Sequence, residues 1–253
     1  MMIFCLGLIV TEPYMDPFFS VYMIDIGQGD CSLIVEPFHK SAIMIDVGQN
    51  LYHDNVELFV KPFLQQKHID HLDALIVTHD DFDHSGGVEA LQAAIPIKKI
   101  IRSHDEIVPV DYPIYSLLPV RKTSDENSKS IVSYFVYDDV HFLWTGDAGI
   151  DIEQQILKQY DLKNVDILKL GHHGSKTSSS FEFLDATRPV LGLVSAGEKN
   201  RYGHPDSNVM AHCHQLGIHT LATKDVGMIE IKTWHPIAFF HTENGLFGWL
   251  NVH

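Results

Sequence analysis

Apolar residues fall in short blocks broken by turn-formers along most of this chain. Val21–Ile26, Ser32–Glu36 and Ala42–Asp46 read as strands of an antiparallel meander, parted by Gly27-Gln28-Gly29-Asp30 and by Pro37 to Lys40. Val56, Phe59, Val60, Phe63 and Leu64 fall on one helical face, with Pro62 inside it as a kink. Leu72–Thr78 reads as a buried strand. After Ser85-Gly86-Gly87, Val88, Leu91 and Ile95 predict a helix, and residues 97–101 another strand. Ser103 to Ser130 is polar and proline-bearing, with one strand near Ile114–Leu118. A hairpin follows, Ile131–Tyr137 and Val140–Trp144 about Asp138-Asp139, then a helix from Ile150 to Tyr160. Val165–Leu170 and Val190–Ser195 are strands flanking a helix over Phe181–Ala186. Asp206 caps a helix carrying Val209, Cys213 and Leu216, and residues 218–250 return to short strands. Two similar halves with helices outside predict an α/β sandwich: two mixed sheets between helices, in one domain over residues 1–253.

Met1–Val10 is apolar but too short to span a bilayer. No Lys or Arg precedes Lys40, so the positive region of a signal peptide is missing, and residues 1–19 are read as a leader or first strand. No transmembrane segment is expected. A composition 45% hydrophobic and 20% charged excludes disordered and low-complexity classes. The net charge of −15 repels duplex nucleic acid and anionic membrane unless a local patch or bound cations reverse it. Three cysteines cannot make a disulfide framework, which fits a reducing compartment and a cytoplasmic location. Seventeen histidines are many, and imidazole is the commonest metal ligand.

The densest chemistry lies in Thr78-His79-Asp80-Asp81-Phe82-Asp83-His84-Ser85-Gly86-Gly87, after an apolar strand and before a helix. His79, Asp81, Asp83 and His84 stand within six residues. So many carboxylates repel one another unless a cation joins them, and this donor set suits Zn2+ or Mn2+. A plain polar loop is the bland alternative. Other donors also follow apolar strands: Asp147 in Thr145-Gly146-Asp147, His172 and His173 in Leu170-Gly171-His172-His173-Gly174-Ser175, and His204 before Pro205. Singly, Asp147 reads equally as a helix cap and the histidines as turn residues. Together they predict one cage on a common rim.

These motifs resemble the metallo-β-lactamase fold superfamily and, within it, the hydrolase domain of the competence protein ComEC. The resemblance rests on Ile24 to Asp30 with Met44 to Gly48, THDDFDHSGG, Asn127 to Ile131, TGD, LGHHGS and Asn200 to Pro205. It implies that Asp83 and His84 hold one metal, His79 and Asp81 the other, and that Asp147 bridges both. One of His172 and His173 completes the first site while the other touches substrate. Asp46 would be a carboxylate behind the ligands that organises their loop. The general pattern has His at Asp81 and a further histidine before the bridging Asp. Here Asn127, Ser128 and Ser130 occupy that region, as in the ComEC-like subgroup, and His104 and His141 are only spare candidates. The oxygen-rich set makes Mn2+ as well as Zn2+ plausible, at one or two ions.

The chemistry so implied is attack by a metal-bound hydroxide. Asp83, His204, Asn127 and Ser130 are the candidate catalytic groups: His204 to donate a proton or hydrogen bond, Asn127 and Ser130 to orient phosphoryl oxygens. Lys169, Lys176, Lys199 and Arg201 are read as a basic rim, or else a solvated face. Phe82, Tyr112, Tyr115 and Tyr202 are possible base-stacking groups, though such residues more often serve packing. The leading expectation is a metal-dependent phosphodiesterase or nuclease with single-stranded or short substrates favoured. Hydrolysis of another ester or amide (phosphocholine ester, lactone, lactam) and a non-catalytic metal-binding module are the alternatives.

Overall fold

Both faces of the central strands are buried, so their side chains split by alternation between two cores. In β1 (Phe19–Met23), Phe19, Val21 and Met23 enter one core while Tyr22 enters another. The computed structural model describes residues 15–117, 127–235 and 237–253. The leader or strand expected over Met1–Val10 lies outside them.

Next in the chain come β2 (Cys31–Val35), β3 (Ala42–Val47), β4 (Ala74–Ile76) and β5 (Ile100–Ile101). The second half brings β6 (Ile114–Leu117), β7 (Val132–Tyr137), β8 (Val140–Trp144), β9 (Ile167–Lys169), β10 (Leu191–Val194) and β11 (His219–Ala222). The chain closes with β12 (Ile229–Trp234), β13 (Ile237–Thr242) and β14 (Phe247–Leu250). An eight-stranded sheet runs β14-β13-β12-β1-β2-β3-β4-β5, and a six-stranded one runs β11-β10-β9-β8-β7-β6. Both are mixed: β3 pairs antiparallel with β2 and parallel with β4, while β8 pairs antiparallel with β7 and parallel with β9.

Phe19, Ile43, Ile76, Phe135, Phe142 and Ile167 fill the space between the sheets. A π-helical turn, Val56–Val60, runs into α1 (Lys61–Gln66), and with α3 (Val88–Ala94) it covers the outer face of the larger sheet. The short α2 (Phe82–Ser85) precedes α3. On the smaller sheet lie α4 (Ile150–Gln159), α5 (Phe181–Thr187) and α6 (Ser207–Gln215), while α7 (Thr223–Val226) is a single turn after β11. The two-sheet sandwich between helices is therefore the architecture.

Details depart from the sequence reading. Pro62 lies inside one helical run from Val56 to Gln66, directly after the point where the π-helical turn gives way to α1, so the irregularity expected at this proline takes the form of that change of helical geometry. Phe59 is 38% exposed, off the buried face of Val56, Val60, Phe63 and Leu64, because the π-helical turn changes the angular step. Asp206 does cap α6, accepting the Asn208 N–H at 2.8 Å.

Candidate metal centre

One rim collects the ends of five strands. β3 carries Asp46 one residue before its end, β4 leads to His79, β8 to Asp147, β9 to His173, and antiparallel β2 starts there, after Asp30. Asp46 takes a left-handed backbone (φ 58°) that aims its carboxylate across the strand ends. Its oxygens accept the Thr78 N–H and the Thr78 hydroxyl, each at 2.7 Å, and His84 Nδ1 at 2.8 Å. His84 is thereby fixed with Nε2 facing the cavity.

His84 Nε2 lies 3.1 Å from Asp147 Oδ1 and His79 Nε2 lies 3.6 Å from Asp81 Oδ2. His173 Nε2 lies 3.3 Å from Asp83 Oδ2 and 4.0 Å from Asp147 Oδ2. Donor atoms of His79, His84 and Asp147 form one group within 4.8 Å, and those of Asp83, His84 and His173 form another. Among the described residues, His79 Nε2, His84 Nε2, His173 Nε2 and Asp147 Oδ1 are buried without any hydrogen-bond partner. His84 Nε2 and Asp147 Oδ1, 3.1 Å apart, are two of these atoms. Buried polar atoms this costly to leave bare, in a set of imidazoles and carboxylates, fit divalent ions.

The electrostatics agree. Burial alone would lower the His84 and His173 pKa values, but Asp147 and its neighbouring carboxylates outweigh it. His84 is raised well above the ordinary imidazole range, and His173 to about 9. Asp147, despite burial, is held well below the usual carboxylate range by His84 and His173. The same carboxylates that raise these imidazoles favour positive charge in the cage.

The two adjacent histidines part company. Both have left-handed backbones, φ 49° and 55°, which throw their rings in different directions. His173 is buried, and its Nδ1 donates to Ser195 O at 2.9 Å, leaving Nε2 for the cage. His172 stands at the mouth. Its Nδ1 lies 3.2 Å from Thr177 Oγ1 and 3.4 Å from Asn127 Nδ2, and its Nε2 lies 3.5 Å from Asp147 Oδ2. Ser130 Oγ accepts the Asp147 N–H at 3.0 Å and lies 3.4 Å from His79 Nδ1, so it braces two of the converging side chains. The side chain of Ser128 lies outside the described residues. His104 bonds Ser116 and His141 bonds Tyr134, so neither joins the cage.

His204 lies beside both histidines, ring centres 5.7 Å from His172 and 6.2 Å from His173. Asn200 shapes its turn, accepting the His204 N–H and donating to the His204 carbonyl, each at 2.8 Å. Burial and the two neighbouring imidazoles lower the His204 pKa. Tyr202 stacks on His204 at 5.6 Å, and Arg201 covers Tyr202 at 4.8 Å. An open cleft of about 500 Å³ beside Asp83 is lined by these two residues with Lys199, Tyr52, Phe82 and Gln49.

Two residues escaped the sequence reading. Asp30 has no role in the sequence reading beyond its place in a turn and in the matching segment Ile24 to Asp30, yet it lies buried beneath the cage. Lys169, read as a rim cation, is 1% exposed and pairs with Asp30. The apolar strand around Lys169 is the signal that it points inward: a lysine flanked by Ile167, Leu168 and Leu170 in a strand buried on both faces has no solvent side.

A family model described as the metallo-β-lactamase superfamily matches residues 24–122. The chain is 29% identical to ComE operon protein 3 of Bacillus subtilis over 87% of its own length. It is 30% identical to Recombination protein 2 of Haemophilus influenzae over 90%, and 31% identical to Competence protein ComA of Neisseria gonorrhoeae over 83%. These matches take in 34%, 30% and 32% of the relatives, so the chain spans about a third of the curated proteins it matches. Among solved structures, the metallo-β-lactamase fold protein YhfI from Bacillus subtilis has a TM-score of 0.54 over 81% of this chain and 96% of its own, at 12% identity. A diphosphatase of the PhnP family has a TM-score of 0.52 over 80% of this chain and 94% of its own, also at 12% identity. At these identities the likeness is one of fold.

Proposed function

Since the chain belongs to the metallo-β-lactamase superfamily, we propose that it is a metal-dependent phosphodiesterase acting on nucleic acid, with single strands or short oligonucleotides favoured. The observation that carries this reading is the convergence of four bare buried donor atoms, on His79, His84, His173 and Asp147, at one strand-end rim. His79, Asp81 and Asp147 would hold one divalent ion, and Asp83, His84 and His173 a second, with Asp147 shared. When bound, such ions (Zn2+ or Mn2+) supply Lewis acidity and an acidified water.

The chain supplies the rest. Asp46 and Ser130 orient the ligands. His172, at the mouth, contacts the scissile phosphate. His204 is largely neutral near pH 7 and donates one ring N–H to a phosphoryl oxygen. Asn127, beside His172, orients a second oxygen. Lys199 and Arg201 offer positive charge at the cleft against a net −15, which favours a local strand path over wide duplex contact. Tyr202, Tyr52 and Phe82 provide aromatic faces for unstacked bases. The names of the relatives, a recombination protein and a competence protein among them, also favour a nucleic-acid substrate.

The test is cleavage of a chromogenic bis-aryl phosphate and of single-stranded and duplex oligonucleotides with Mn2+ or Zn2+, against the Asp147→Ala protein. Metal-dependent cleavage lost in the variant, with single strands preferred, is expected. Turnover of phosphocholine esters, lactones or lactams with none of phosphodiesters would overturn the reading, as would metal uptake without any turnover.

A further inference from the structure

Beneath the cage, between β2 and β9, the chain carries a cation of its own. The Lys169 ammonium pairs with Asp30 and donates to the Gly146 carbonyl at 3.2 Å. It also lies only 3.9 Å from Asp147 Oδ1. That oxygen has no hydrogen bond, although a buried ammonium stands within a small side-chain movement of it. A lysine stem is flexible, and an unpaired buried charge is strongly drawn to the nearest carboxylate. Something must therefore keep the ammonium from Asp147, and Asp30 is the group in place to do so. Asp46, the other near carboxylate, is already engaged by Thr78 and His84. Asp30 is itself anchored: its N–H donates to Asp83 O and its carbonyl accepts the Gly48 N–H, both at 2.9 Å.

We propose that Asp30 is a positioning residue of the metal centre, resting on the reading of the cage as such a centre: it holds the Lys169 ammonium on the Gly146 carbonyl and off Asp147, so that both Asp147 oxygens stay open to an incoming ion. Lys169 then fixes the turn before Asp147 without competing for its carboxylate. The Asp30–Asp46–His84 cluster is accordingly no third ion site. Its carboxylates are met by the Lys169 ammonium and Thr78, and Asp30 Oδ1 also lies 3.3 Å from His173 Nδ1.

The sign of a double-mutant comparison separates this from a merely structural ion pair. In Asp30→Asn the ammonium loses its partner and turns to Asp147, so Mn2+ affinity, read by competition with a fluorescent chelator, falls at least about tenfold. In Asp30→Asn/Lys169→Gln no ammonium competes, and affinity returns to within about threefold of the wild type. Affinity in Asp30→Asn within about threefold of the wild type overturns the proposal, and so does a double variant as weak as the single one. Should the double variant fail to fold, Asp30→Asn decides alone. Its affinity loss with an unchanged metal-free melting temperature supports the proposal, and a loss matched by a fall in melting temperature overturns it. Asp147→Ala is the control: if it binds Mn2+ like the wild type, the metal-centre reading has failed, whatever Asp30 does.

Discussion

Asp46 grips His84 from behind: its Oδ2 lies 2.8 Å from His84 Nδ1, while His84 Nε2 faces Asp147 at 3.1 Å without a hydrogen bond. One carboxylate sets the ring and leaves the other nitrogen bare. Asp46→Asn breaks this, because an amide nitrogen must then face one of the donors on Thr78 or His84. Divalent-ion affinity should fall about 10- to 100-fold, with a lower metal-free melting temperature. Wild-type affinity in a chelator competition would show that His84 does not depend on this bond.

The protons resident in the cage give metal-free and metal-bound protein opposite pH responses. The His173 pKa is raised from 6.5 to about 9 in the folded chain. Its stabilising contribution is full below 6.5 and lost as pH rises through about 9. Chelator-stripped protein should therefore melt at progressively lower temperature across that window. Ion affinity should rise over the same range, because the ion held by Asp83, His84 and His173 must displace protons from those two imidazoles. Melting curves and Mn2+ titrations at matched pH check both slopes. A metal-free protein equally stable throughout the window would contradict the placement of His173 among carboxylates.

His172 and His173 are neighbours in sequence with different surroundings. His173→Asn should lower the ion content measured by elemental analysis. His172→Asn should keep it and instead cost about 10²-fold or more in turnover. Exchange of these two phenotypes would reverse the assignment.

The sandwich was legible because buried strands and flanking helices leave a clear periodic trace, as in β1 to β3 and in the Asp138-Asp139 hairpin. The donors were legible because they cluster after apolar strands at His79 to His84, Asp147 and His172-His173. Which of those two histidines faces inward was not, since it depends on consecutive left-handed residues that no pattern announces. Asp30 was hidden for another reason. It precedes β2, and only antiparallel pairing with β3 carries the start of that strand to the rim where the other strands end. Lys169 was misplaced by residue type, which says solvent, against its strand, which says core.

Two glycines enclose the carbonyl of Asp83, and this gives a test of the cage away from its ligands. A Cβ at Gly48 would stand 2.1 Å from Asp83 O, and one at Gly29 would stand 2.6 Å from the same atom. Gly48 has no unusual φ, so space alone forbids a side chain there. Gly48→Ala must push the Asp83 backbone outward by about 1 Å, since the core around it is close-packed. The expected cost is about 1–3 kcal/mol of stability. Ion affinity should fall as well, because Asp83 moves away from His84 and His173. Gly192→Ala in β10 is the comparison, with its nearest would-be contacts at 3.4 Å or more, an ordinary packing distance. It should leave ion affinity unchanged. Thermal melting and Mn2+ titration of both variants decide the matter: if Gly48→Ala binds ions as the wild type does, Asp83 is not among their ligands.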